Sequence, residues 1–427
     1  MKDEIKMGLR SLIYRKKQYI SLFMVCFFGI GVSLFALFVI QGMLKSLESK
    51  AENYYGGEYQ LIGQNPSLIQ NDFETKCQQL SKIFPEGTVI APRYDIDGQS
   101  VSYYFEGSSV RQRVVKGVDF KREAELFSRF NYKEGSASDI YKTNGILLSS
   151  KIASSLKVHV GDEITFMLRT IDGYINTVSL IVKGIFIDSS LFGTYTSYLD
   201  LEYLLAAYNQ SSDSFNRLCI NIPDRINSAK KEKHYYSELG KFFSMYPFVD
   251  DKQIFYDDLY NIQMPSYALI PLRANMDDLK ILIDAMRGVT YFVIIMLVII
   301  IVVGVSSTFR VIVMKRINEI GIYKAIGMKR HKIMGMLLSE SLILLIVGCL
   351  SGFLLSLILC NLVSVFDFSF VPAFDLFLMN GHLAPLTSAL HILIICGVVC
   401  VTTLLGIMFS VRKSVSITPC QALATTE

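Results

Sequence analysis

Four runs of the chain, 19–44, 288–309, 341–366 and 391–411, contain no Asp, Glu, Lys or Arg. At roughly 1.5 Å per residue each is long enough to cross about 30 Å of hydrocarbon as a helix, the conformation that satisfies the backbone within its own segment. The pattern predicts transmembrane helices over 19–44, 288–309, 334–366 and 388–411. The first run ends in Ile40-Gln41-Gly42-Met43, without a small-x-small cleavage pattern, and reads as an uncleaved anchor.

Between the first and second spans the pattern changes. Alternating or β-branched runs at Thr88–Ile90, Val101–Phe105, Arg113–Val118, Glu163–Leu168 and Val178–Ile187 predict strands, and helical spacing predicts helices within Pro66–Phe84, Leu148–Leu156 and Leu199–Tyr208. Gly161-Asp162 reads as a turn. Segment 45–287 is therefore expected to be an α+β domain, large enough for its own core and divided into two small subdomains. At its ends, Leu44, Leu47, Ala51 and Tyr54, then Leu272, Met276, Leu279, Ile283 and Met286, recur at steps of three and four. They read either as stalk helices continuous with the spans or as amphipathic span ends packed on the domain. Residues 1–18 form a further amphipathic pattern, with Ile5, Leu9, Leu12 and Ile13 on one face and Lys2, Lys6 and Arg10 mostly elsewhere, suited to a membrane surface.

Charge orients the chain. Basic residues cluster before the first span, at 310–333 between the second and third, and at Arg412-Lys413, whereas the connection 367–387 has no Lys or Arg. The positive-inside rule places the termini (1–18 and 412–427) and the basic loop in the cytoplasm and 45–287 outside. The net charge of +4 thus conceals a basic inner side, which suits anionic lipid or an acidic partner surface and argues against nucleic acid.

Chemistry-bearing motifs are sparse. The sequence contains no phosphate-binding Gly-x-x-x-x-Gly-Lys-Ser/Thr, no His-Glu-x-x-His and no Gly-x-Ser-x-Gly, and its five histidines are scattered. No catalytic, cofactor or metal site is expected. Glu340 lies at the inner end of the third span, where a carboxylate needs a partner such as Lys332. Gly348 and Gly352 form a Gly-x-x-x-Gly that permits close helix packing, within the subunit or across a dimer. Of eight cysteines only Cys77 and Cys219 share the outer segment; their spacing leaves open whether they form a disulfide.

The segment RINEIGIYKAIGMK (316–329), followed by Ser339-Glu340-Ser341, Gly348 and Gly352, resembles FtsX-like ABC transporter permeases, the family that includes MacB-type subunits. Val115-Lys116-Gly117-Val118-Asp119-Phe120, Gly145–Ala153 running into Val160–Ile164, and Val182–Phe186 resemble the MacB-type extracytoplasmic core domain; Pro419-Cys420-Gln421-Ala422-Leu423 is similar to a common family ending. The resemblance implies a four-span permease of a bacterial cell (inner) membrane. It would be paired with a second permease copy or a homologous permease, and driven by a separate cytoplasmic ABC ATPase that carries the ATP and Mg. It implies work on an extracytoplasmic peptide, lipopeptide or lipoprotein, or activation of a protein partner such as a cell-wall hydrolase. A receptor or immunity protein without ATP-driven work is the other class open to such a chain. The residues expected to couple to the ATPase are Glu319, Ile320, Gly321, Tyr323, Lys324, Ala325, Ile326 and Gly327: apolar and charged side chains suited to a groove on a partner, with Gly327 as helix C-cap.

Overall fold

A computed structural model describes residue 14 and residues 16–63, 72–188, 192–223, 229–248, 250–258 and 267–412. The expected amphipathic helix before the first span lies outside these apart from its last residues, as does the Pro419–Leu423 ending. The described residues fall into two compact units, a membrane unit (1–44, 283–367 and 382–427) and an outer unit (45–282 with 368–381).

Among the described residues, four helices are long and apolar enough to cross a membrane: Lys16–Tyr55, Lys280–Lys315, Arg330–Val365 and Ala389–Val411. Their core joins Leu22, Cys26 and Ile30 of the first to Ile301, Val305 and Phe309 of the second, Leu337 and Leu345 of the third, and Val399 and Ile407 of the fourth. Glycines set the closest approaches. A Cβ on Gly348 would stand 2.6 Å from Cys26 Cβ, and one on Gly352 would stand 3.0 Å from Gly31 N, so the Gly-x-x-x-Gly packs on the first span of the same subunit.

Among the described residues, the strands of the outer unit form one mixed sheet of ten: β1 (Tyr59–Gly63), β2 (Val89–Phe105), β3 (Ser108–Val118), β4 (Tyr132–Gly135), β5 (Gly145–Ser149), β6 (Glu163–Arg169), β7 (Ile175–Phe186), β8 (Thr196–Asp200), β9 (Arg217–Asn221) and β10 (Tyr267–Pro271). They run in the order β10-β1-β9-β2-β3-β8-β5-β7-β4, with β6 paired to β2 and β7. The expected pair of subdomains does not exist as two separate sheets. The long β2 belongs to both regions, its first residues pairing with β9 (Val89 to Asn221) and its last with β6 (Tyr103 to Phe166), with a register shift between Asp97 and Val101.

The first helix runs unbroken from its membrane-spanning part to Tyr55, and Leu47 and Ala51 are fully buried. The second expected stalk is not one helix. Leu272–Asn275 forms a single turn, Asp277–Leu279 a 3-10 turn, and the long helix starts only at Lys280; Met276 and Leu279 are buried in this broken stretch, with Ile283 and Met286 half-buried beyond it. Three side chains fasten the two stretches together within the outer unit. Gln60 Nε2 donates to Tyr55 O at 2.6 Å, Asn275 Nδ2 donates to Gln60 Oε1 at 3.2 Å, and Tyr55 Oη donates to Asn275 O at 3.0 Å, closing a ring.

The carbonyl end of the first helix meets buried cations, as its dipole favours. Arg93, fully buried, donates to Tyr54 O at 2.9 Å and pairs with Glu123; Lys116 pairs with Asp95 and lies 4.0 Å from the centre of the Tyr54 ring. Burial pulls the Lys116 ammonium down to about 8, opposed by Asp95. Burial would raise Asp95, but Arg217 and Lys116 outweigh it and hold the carboxyl below its ordinary range. Cys77 and Cys219 are both free thiols; the Cys219 thiol donates to Tyr55 O at 3.2 Å, so it serves this helix end rather than a disulfide.

Glu58, 3% exposed, follows this helix end. Its Oε2 accepts the Ile222 N–H at 2.6 Å, while Oε1 has no partner among the described residues. Burial pushes the carboxyl up to about 7, partly offset by the Ile222 N–H. A raised carboxyl makes the folded domain bind more protons than the unfolded chain, so this contribution to stability is lost as pH rises from about 4.5 through about 7. Glu58→Gln is expected to gain melting temperature over the parent at pH 8 relative to the difference at pH 5. Thermal unfolding at the two pH values checks this, and a difference independent of pH contradicts it.

Candidate functional site: the Arg316 hub and its helix

The second span helix ends at Lys315, and a short helix, Ile317–Ala325, begins after a break at Arg316. Arg316 is 4% exposed and its guanidinium is committed inward. Nη1 donates to Glu340 Oε2 at 2.8 Å and to Tyr19 Oη at 3.1 Å; Tyr19 Oη donates to Glu340 Oε2 at 2.7 Å; Nε donates to Glu319 Oε2 at 3.2 Å. One side chain thus fastens the short helix to the start of the first span and to the third. Lys332, expected as the partner of Glu340, is excluded by its place: it precedes Glu340 by two helical turns on the same helix, roughly 12 Å along the axis, and is exposed.

The short helix has two sides. Ile320 (4% exposed) and Gly321 are buried, with Tyr323 half-buried on the bundle core. Ile322 (49%) and Ile326 (79%), spaced four residues apart, are exposed with Ala325 and Gly327. Of the residues expected to meet a partner, Ile320 and Gly321 therefore dock the helix, Glu319 and Lys324 are half-buried, and the exposed apolar ridge is Ile322, Ala325 and Ile326. Ile322 was absent from the expected set, although its i,i+4 spacing to Ile326 is visible in the sequence.

Both ends of the segment are fixed. Gly327 takes φ +92, and Gly327 N donates to Lys324 O at 2.9 Å while Met328 N donates to Tyr323 O at 3.0 Å, the Schellman arrangement, with Met328 and Tyr323 packed on the same core. Arg330 Nη2 then donates to Arg412 O at 2.8 Å, meeting the carbonyl end of the fourth helix. Among the described residues no group of three or more His, Cys, Asp or Glu is placed to hold a metal ion.

Removing one partner of a buried pair strands the other charge, at about 3–5 kcal/mol. Arg316→Met and Glu340→Gln are each expected to destabilise the detergent-solubilised chain by about that much, and the double variant by clearly less than the sum. Denaturant unfolding of the four proteins checks this; strict additivity would show that the pair does not interact.

Residues 291–419, which contain the hub and the short helix, match the family of the FtsX-like permease C-terminal domain. Over 125 residues the chain is 30% identical to the macrolide export ATP-binding/permease protein MacB of Mannheimia succiniciproducens; the aligned stretch is 29% of this chain and 17% of that protein. Among solved structures, the periplasmic region of MacB from Actinobacillus actinomycetemcomitans aligns with a TM-score of 0.29 and 12% identity, over 43% of this chain and 83% of that one.

Proposed function

We propose that this chain, an FtsX-like, MacB-type permease by its family match and its relative, is the non-catalytic subunit through which a separate ABC ATPase acts on an extracytoplasmic domain. The observation that carries the reading is the short helix Ile317–Ala325. It presents an exposed apolar ridge on one side while its other side is buried in the bundle, and Arg316 at its start is tied to the first and third membrane helices. A partner seated on Ile322 and Ile326 would move a helix that cannot shift without shifting the spans.

The first span helix supports transmission further, because its last residues, through Tyr55, belong to the outer unit. The work done there is assigned to a peptide, lipopeptide or lipoprotein. That assignment rests on resemblance, as does the pairing with a second permease in a bacterial inner membrane.

Replacing two exposed isoleucines by carboxylates removes apolar burial of about 1.5–3 kcal/mol each from any interface that covers them. Ile322→Asp/Ile326→Asp is expected to reduce co-purification of an ATPase from the native host at least tenfold, with unchanged thermal stability. Ile320→Ala should instead lower stability, since that side chain faces the core. Full ATPase recovery with the double variant would refute the docking surface.

A further inference from the structure

Five of the eight cysteines belong to the core of the membrane unit, where the coupling reading makes no use of them: Cys26 of the first span, Cys349 and Cys360 of the third, and Cys396 and Cys400 of the fourth. Cys396 and Cys400 are one helical turn apart and face the same way. One contact crosses between helices. Cys349 Sγ lies 3.9 Å from Cys400 Sγ, and both thiols are free. A small apolar side chain would fill either position equally well, so what sets the pair apart is sulfur facing sulfur. Closing the gap from 3.9 Å to a bond of about 2 Å takes side-chain rotation and a small approach of two helices already packed together. The placement suits a bond between the two sulfurs rather than a metal, since among the described residues no three Cys, His or acidic groups are arranged to hold one.

Position selects the reagent. Cys400 is the middle residue of Ala389–Val411 and so stands near the centre of the hydrocarbon, out of reach of charged oxidants in water. It is half-buried, on a helix whose Ile394, Val398 and Val401 are exposed along its outer side, whereas Cys349 is only 8% exposed. An oxidant that reaches the pair is therefore apolar, and it meets Cys400 first.

We propose that Cys349 and Cys400 form a disulfide joining the third and fourth spans when the membrane carries an organic hydroperoxide, the class that lipid oxidation produces. Hydrocarbon does not support a free thiolate, so the proton travels with the attack. The Cys400 sulfur attacks the terminal peroxide oxygen, the O–O bond breaks, and the thiol proton goes to the departing alkoxide, leaving a sulfenic acid and an alcohol. The Cys349 sulfur then attacks the sulfenic sulfur, the S–O bond breaks, and the hydroxyl leaves as water with the Cys349 proton. Two thiols are oxidised, and one hydroperoxide is reduced to alcohol and water. Arg330 already ties the third helix to Arg412 O at one end of the fourth; a link at the middle removes the freedom of the two helices to roll against each other.

The test uses the full chain with Cys77→Ala and Cys420→Ala, which removes two thiols outside the spans; Cys219, the remaining one there, is fully buried. The protein is held in nanodiscs of saturated lipid and treated with cumene hydroperoxide, or with glutathione disulfide as the charged comparison. Free thiols are blocked with N-ethylmaleimide under denaturing conditions, and peptides are mapped by mass spectrometry with and without reduction. The expected result is a peptide pair linking Cys349 to Cys400, reversed by dithiothreitol, that forms at least tenfold more slowly with glutathione disulfide at equal oxidising equivalents. Cys349→Ala should stop at a Cys400 that carries added oxygen and no link. If that variant is unstable, the map of the parent decides alone. The proposal is overturned if cumene hydroperoxide yields no linked pair, if Cys349 or Cys400 links to a different cysteine, if the two oxidants act at equal rates, or if Cys400 stays unoxidised in a folded Cys349→Ala. No ATPase enters the readout, so this proposal and the coupling reading fail separately.

Discussion

Holding a carboxylate at zero exposure among apolar helices costs several kcal/mol unless a cation meets it there. Glu340 is so placed, and the cation is Arg316, brought to it by the break between the second span and the short helix. The pair fixes more than itself. With Tyr19 as third member, it draws the start of the first span, the end of the second and the third into one hydrogen-bonded cluster, and Ile320 and Tyr323 then pack where that cluster leaves them. The position of the exposed ridge follows from a polar contact made inside the bundle.

The outer unit repeats the device with different groups. The first helix ends among Arg93, Lys116 and the Cys219 thiol, which meet its last carbonyls and the Tyr54 ring. At that end of the helix buried cations, rather than apolar packing alone, meet the last turn. Such contacts give register and orientation: apolar side chains can slide by a turn at modest cost, whereas a buried charge has few places to go.

The spans were legible in the sequence because long uncharged runs have no competing reading, and the alternating strand Glu163–Arg169 because one of its faces is buried and the other is not. Gly145–Ser149 and Thr196–Asp200 were not read as strands. They lie inside the sheet with every residue buried, so the period of two that marks a half-exposed strand is absent. The single sheet was hidden for another reason: β2 joins the two regions through pairings distant in sequence, to β9 and β6. At the candidate site, Glu319–Gly327 stood out by composition, but its inner and outer faces did not, and neither did the partner of Glu340. Arg316 and Lys332 are both basic and both near Glu340 in sequence; the break at Arg316 turns its guanidinium inward, whereas the helix that carries Lys332 holds it two turns away and exposed.

The ring formed by Tyr55, Gln60 and Asn275 lies where the chain enters and leaves the sheet, and just beyond it Tyr59 stands opposite Pro271 in neighbouring antiparallel strands. Entry and exit are thus one ladder spacing apart, about 5 Å. A domain with its ends so close behaves as a cassette: it can be inserted into, lost from or exchanged in a host chain without stretching the connections on either side. An exchange made between Tyr59 and Pro271 would leave every residue of the Arg316 hub in place.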